Sequence, residues 1–176
     1  PQQWQADALR AVRDNSKVAI KSGHGVGKTA FLSWLVLWWL LTRYPTKVVC
    51  TANTAHQLSD VLWTEIDRWA RGMHPGFKDR LNFKADKISL EGANDSFAVA
   101  RTSRRESPEA LQGFHSDNML ILVDEASGVP DVVFQVGEGA MSTPGAKTVL
   151  TGNPTRSDGF FYEAFHGKRE QWRRDG

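Results

Sequence analysis

The octapeptide Ser22-Gly23-His24-Gly25-Val26-Gly27-Lys28-Thr29 constrains this chain more than any other stretch. An apolar-centred run, Lys17 to Lys21 with Val18, Ala19 and Ile20 inside it, stands directly before; a segment from Ala30 to Leu41, apolar except for Ser33, follows. A strand, a glycine-rich turn and a helix in that order place backbone N–H groups around an anion at the positive end of the helix. The P-loop (Walker A) pattern asks for a glycine, four residues, then Gly-Lys-Ser/Thr; Ser22 takes the leading glycine position and the rest matches. In that reading Ser22, Gly23, His24, Gly25, Val26 and Gly27 line the phosphates of ATP, Lys28 reaches the outer ones, and Thr29 offers its hydroxyl to Mg2+. The same string also fits a plain glycine-rich turn, and His24 is either a phosphate contact or a tolerated loop side chain. The flanking strand and helix favour the nucleotide.

A matching second half lies downstream. Met119 to Val123 is a continuous apolar run that delivers Asp124 and Glu125 (the Walker B pair) at its C-terminal end, where open α/β sheets bind ligands. Asp124 would hold the metal through water and Glu125 would orient or deprotonate the attacking water, with Lys28 as the other catalytic group. An Asp-Glu pair can also simply open a loop. Glutamate directly after aspartate, with extra strands between Lys28 and Asp124, favours the ATPases that activate water over kinases and GTPases. Thr151, Gly152 and Asn153 end a further strand, Lys147 to Thr151. That position suits a sensor of the γ-phosphate, or an ordinary strand-ending turn.

The remaining pattern predicts an α/β fold: a three-layer P-loop NTPase (RecA/ASCE-like) with a mostly parallel sheet flanked by helices. A first helix spans Gln2 to Asp14, and the apolar helix after the loop must end before Pro45. Lys47 to Thr51 reads as a buried strand. Thr54 to Arg71 reads as a helix with Leu58, Val61, Leu62, Ile66 and Trp69 on one side. Lys87 to Leu90 and Phe97 to Arg101 read as a hairpin around Glu91 to Ser96. The 176 residues suit one domain. A net charge of +2 identifies no partner by itself. Cys50 stands alone, so no disulfide framework or thiolate zinc site is available, and the five histidines form no ligand pair. The longest apolar segment is too short for a bilayer, so no membrane role is expected. Pro1 in place of Met, and polar chain continuing from Gln171 to Gly176, read as an excised fragment.

Taken together, Gln2 to Arg10, Ser22 to Thr29, Gln112 to Ala126 and Thr151 to Pro154 resemble the ATPase domain of the large terminase subunit of tailed bacteriophages. The resemblance implies an ATPase motor that couples hydrolysis to translocation of double-stranded DNA into a procapsid. Its expected partners are a portal protein and a small terminase subunit, its expected assembly a homo-oligomeric ring, and its expected place the cytoplasm of the infected bacterial host. Coupling falls to Thr151, Gly152 and Asn153. Adenine recognition falls to Trp4 and Gln5, by stacking and amide pairing, although both also fit the first turn of an amphipathic helix. The Arg-Gly pair that supplies an arginine finger in some relatives corresponds to Gln112-Gly113 here and does not carry over. Arg101, Arg104 and Arg105 are the substitutes, or else a solvated or DNA-facing surface. Nothing after Asn153 is long enough for the nuclease domain of full-length members. Rival readings are a helicase-like nucleic-acid translocase and an interaction module that binds ATP without hydrolysing it.

Overall fold

The computed structural model describes residues 1–106 and 108–172; the polar end of the chain beyond 172 lies outside them. Helix α1 (Gln3–Asp14) leads into strand β1 (Lys17–Lys21), and helix α2 (Lys28–Thr42) follows the glycine loop. Strand β2 (Thr46–Ala52) runs into a π-helical stretch, Gln57–Trp63, which continues as α3 (Thr64–Arg71). A short α4 (Pro75–Lys78) precedes β3 (Leu81–Phe83), β4 (Lys87–Leu90) and β5 (Ala93–Thr102). After a 3-10 turn at Pro108–Leu111 come β6 (Asn118–Val123), a second 3-10 turn at Ala126–Gly128, α5 (Asp131–Met141) and β7 (Lys147–Gly152). Short helices α6 (Phe160–Glu163) and α7 (Arg169–Trp172) close the described chain.

The seven strands form one sheet in the order β1-β7-β6-β2-β5-β4-β3. The first five run parallel, while β4 and β3 are antiparallel. This is the α/β architecture the sequence predicts. Its strands are apolar on both faces because helices cover both. Along β6, Leu120 and Leu122 join the core beneath α1, α2 and α3, whereas Met119, Ile121 and Val123 join the core beneath α5, α6 and α7. Helix α2 is buried nearly all round, with Phe31, Leu32, Leu35, Val36 and Leu40 fully enclosed. Its indole at Trp39 donates to Asn118 O at 3.1 Å, tying the helix to the start of β6. Among the described residues, no helix is long and apolar enough to cross a membrane.

Three departures from the expected pattern have physical causes. The helix over 54–71 is wound more widely in its first half, and the Thr64 hydroxyl donates to Ser59 O, five residues back. More residues per turn rotate Val61 outward, to 39% exposure, and bring Leu62 and Trp63 inward. The hairpin closes on Glu91 and Gly92 alone, because β5 already pairs at Ala93, opposite Leu90, with a bulge at Ser89/Leu90. Helix α5 goes beyond the expected elements. Its two glycines and three valines lower helix propensity, and burial of Val133, Phe134, Gly137, Ala140 and Met141 stabilises it instead.

Gly137 sits where α5 crosses the Pro108–Leu111 turn, and a methyl group there would lie 2.8 Å from Leu111 Cβ. Helix propensity favours alanine by about 1 kcal/mol. Overpacking against a side-chain stem costs about 1–3 kcal/mol. Gly137→Ala is therefore expected to lower the midpoint of urea unfolding; an unchanged or raised midpoint would show that the turn yields freely.

Candidate active site

The loop from Ser22 to Thr29 closes over the C-terminal ends of β1, β7 and β6. Register brings these ends together: Lys21 pairs with Gly152, and Val123 with Leu150, so Asp124 arrives beside Thr151. The Ser22 N–H donates to Gly152 O at 3.1 Å and anchors the first loop residue on β7. Gly27, at φ +89°, turns the chain into α2 in the left-handed region. A side chain there would also collide with Gln5 Nε2, which a Cβ would approach to 2.7 Å.

Lys28 is 7% exposed. Its ammonium donates to Gly23 O at 2.9 Å and lies 3.5 Å from Glu125 Oε1. Asp124 is 6% exposed, and its Oδ1 accepts from the Thr151 hydroxyl at 2.9 Å and from the Glu125 N–H at 3.0 Å. Burial pushes its carboxyl above the usual carboxylate range; the Thr151 hydrogen bond opposes that, the nearby Glu125 charge adds to it, and the Lys28 charge opposes it. Glu125 occupies the left-handed region at φ +47°, ψ +48°, so the chain turns sharply as it leaves β6. A non-glycine residue held there is strained, and such strain concentrates at functional positions. Its other oxygen, Oε2, is 3.5 Å from the Asn153 N–H.

The arrangement suits polyphosphate. A Cβ added at Gly23 or Gly25 would meet nothing within 4 Å, so the face of the loop is open. Among the described residues, the Ser22 hydroxyl and Asn153 Oδ1 are buried without a hydrogen-bond partner, which leaves polar capacity beside the loop. Thr29 follows Lys28 in the first turn of α2, and Asp124 retains its Oδ2 outside the two bonds named above. A hydroxyl and one carboxylate fit Mg2+, which takes few protein ligands and completes its shell with phosphate and water.

The structure thus brings Ser22, Lys28, Asp124, Glu125, Thr151, Gly152 and Asn153 into one cluster. His24 joins it: its Nε2 lies 2.6 Å from Asn153 Nδ2. Gln5 and Trp4 lie beside the loop, but the amide of Gln5 is engaged at both ends. Its Oε1 accepts from the Gln2 N–H at 2.7 Å and its Nε2 donates to Gly27 O at 3.0 Å. Trp4 packs on Phe31 and donates to Gln2 Oε1 at 2.9 Å. Arg101 is held by Asp86 at 3.2 Å on β5, two strands beyond β6, while Arg104 and Arg105 are exposed. Sequence reasoning does not find the cleft of about 400 Å3 beside the end of β1, where Lys21, Arg156, Tyr162, Phe165 and His166 gather. Its only sequence signal is the aromatic spacing of Phe161, Tyr162 and Phe165 after the end of β7.

Comparison with known proteins identifies the family. Residues 20–175 match the family described as terminase large subunit, T4likevirus-type, N-terminal. A probable terminase large subunit of Enterobacteria phage P7 is 30% identical over 169 residues, covering 93% of this chain and 34% of that protein. The chain therefore spans about a third of that relative's length. Among solved structures, the large terminase of a thermophilic bacteriophage in complex with ADP superposes with a TM-score of 0.76 at 18% identity, covering 97% of this chain and 43% of that one. The large terminase ATPase domain of Thermus phage P74-26 superposes with a TM-score of 0.71 at 17% identity, covering 94% of this chain and 69% of that one. Matched by that family model over most of its length, the chain belongs to the terminase large subunit family, in its N-terminal region.

Proposed function

We propose that this chain binds ATP with Mg2+ in the loop and hydrolyses it, as the motor part of a terminase that drives double-stranded DNA into a procapsid. The observation that carries the reading is the buried Lys28 ammonium, held between a loop carbonyl and Glu125 with Asp124 alongside. One pocket then holds a cation for the phosphates, a carboxylate for the metal and a carboxylate for water. The large terminase of the thermophilic bacteriophage, which shares the fold, is known in complexes with ADP and with ATP-gamma-S.

In this reading the amides of residues 22 to 27 and the Lys28 ammonium bind the phosphates. Asp124 and Thr29 hold Mg2+, which when bound neutralises phosphate charge. Glu125 orients the attacking water and takes its proton. Thr151, Gly152 and Asn153 link the site to β7 and serve as the coupling segment. Gln5 braces Gly27, and reading adenine with the same amide would require it to release Gln2 or Gly27. An arginine finger acting on a neighbouring copy in a homo-oligomeric ring is better supplied by Arg104 or Arg105 than by Arg101, which Asp86 holds. Portal protein and small terminase subunit are the partners this role implies, in the cytoplasm of the infected host. We further propose that residues 1–176 act as one P-loop domain and that DNA cleavage belongs to chain beyond it.

Glu125→Gln is expected to cut ATP turnover about 10²- to 10⁴-fold, the range for loss of a general base. Affinity for a non-hydrolysable ATP analogue, measured by calorimetry, should be retained. An unsubstituted protein that binds ATP but never turns it over would make the chain a nucleotide switch instead.

Asp124 generates a second expectation. Its folded-state pKa lies above its unfolded value, so the native state holds the proton more tightly. The resulting stabilisation is fully present only at low pH and is lost as pH rises through the folded pKa. Asp124→Asn should therefore melt at a higher temperature than the parent at neutral pH, with the gap narrowing as pH falls, while Mg2+-dependent hydrolysis is abolished. A gap that widens on acidification would contradict desolvation as the dominant cause.

A further inference from the structure

His24 and Asn153 are 129 residues apart in sequence and meet across the mouth of the site, Nε2 to Nδ2, at 2.6 Å. With the amide this way round its NH2 donates, which pairs with the His24 tautomer that accepts at Nε2 and carries its proton on Nδ1. Asn153 is 8% exposed; its main-chain oxygen accepts from the Thr155 N–H at 2.8 Å, and its other two polar groups differ in kind. Its main-chain N–H approaches Glu125 Oε2 at 3.5 Å. Its Oδ1 is buried without a partner among the described residues. A side-chain amide has nearly the same shape either way round, so only its partners decide which end points where. In the orientation seen here Nδ2 faces His24, on the residue whose main-chain N–H approaches the proposed base.

From this geometry we infer that His24 is a positioning residue for hydrolysis, acting through Asn153. By holding the Asn153 side chain, His24 fixes the main-chain N–H that approaches Glu125 Oε2, and so fixes how that carboxylate is set toward its water. The inference rests on the hydrolytic reading above and adds to it a role for the loop side chain that the P-loop pattern leaves open. A P-loop needs no histidine at this position to bind phosphate, since main-chain amides perform that task.

The test compares His24→Leu with His24→Gln in the intact protein. Both are near the histidine in size, and the neighbouring loop glycines leave room, so volume is controlled. Glutamine carries an amide at the reach of Nε2, whereas leucine carries no polar atom. His24→Leu is expected to lower kcat about 10- to 100-fold, the penalty for a misplaced reactant, while affinity for a non-hydrolysable ATP analogue stays within about twofold. His24→Gln should restore most of the lost turnover. An independent readout is the side-chain amide resonance of Asn153 in nucleotide-free protein, which should move in His24→Leu and return toward its parent position in His24→Gln. Parallel loss of kcat and analogue affinity in His24→Leu would mean a merely structural loop residue and overturn the inference. Equal kcat in the two variants, or an Asn153 resonance indifferent to His24, would overturn it as well. Absence of any turnover in the parent would instead remove the hydrolytic reading, and the inference with it.

Discussion

A lysine ammonium taken out of water governs the layout of this molecule. An unpaired buried cation is costly, so Lys28 requires both a carbonyl and a carboxylate within reach. Gly23 O comes from its own loop, but Glu125 comes from a strand that lies two places away in the sheet. Two strand spacings amount to about 10 Å, which a lysine and a glutamate side chain reaching toward each other can bridge. The position of β7 between β1 and β6 is therefore part of the site. It sets the gap and also fills it, placing Thr151 on Asp124 and Gly152 O on the Ser22 N–H.

The two carboxylates at the end of β6 are adjacent in sequence and sit in different surroundings. Asp124 continues the buried strand and accepts hydrogen bonds that favour its charged form, against a burial that disfavours it. Glu125 is thrown outward by a left-handed backbone turn and is more accessible. A strand that continued straight would send the second side chain to the opposite face of the sheet. The strained turn at Glu125 brings both carboxylates to the same mouth, so that the two roles proposed above, one toward a metal and one toward water, fall to neighbouring residues.

Much of this is legible in the sequence because it is local. The strand before the loop, the helix after it, the apolar run before Asp124 and the polar end of β7 are each contained within 15 residues, and each announces itself by period or spacing. The contacts that unite them are not local. Gln5 reaches Gly27 over 22 residues and His24 reaches Asn153 over 129, and nothing in either neighbourhood specifies the other. The wide winding of 57–63 escapes because apolar spacing distinguishes poorly between three and a half and somewhat more residues per turn. Spacing alone puts Val61 on the inner face for that reason, and the structure turns it outward. Helix α5 escapes because propensity speaks against it and only the core beneath it speaks for it.

Helix α1 is fastened at both ends to elements it does not belong to. Near its start, Gln5 grips the loop at Gly27; at its finish, the Lys147 ammonium gathers Val12 O, Arg13 O and Asn15 O at 2.7, 2.7 and 3.0 Å. Its 12 residues make a rod about 18 Å long at 1.5 Å per residue. That rod spans the height of the sheet from the root of β7 to the loop. The two ends of β7 are thus joined by a second route outside the sheet, and its length is quantised in helical residues. Inserting or removing one residue inside the rod would swing one fastening about 100° around the axis relative to the other, so the chain can keep Lys147 on its carbonyls or Gln5 on its glycine, but not both.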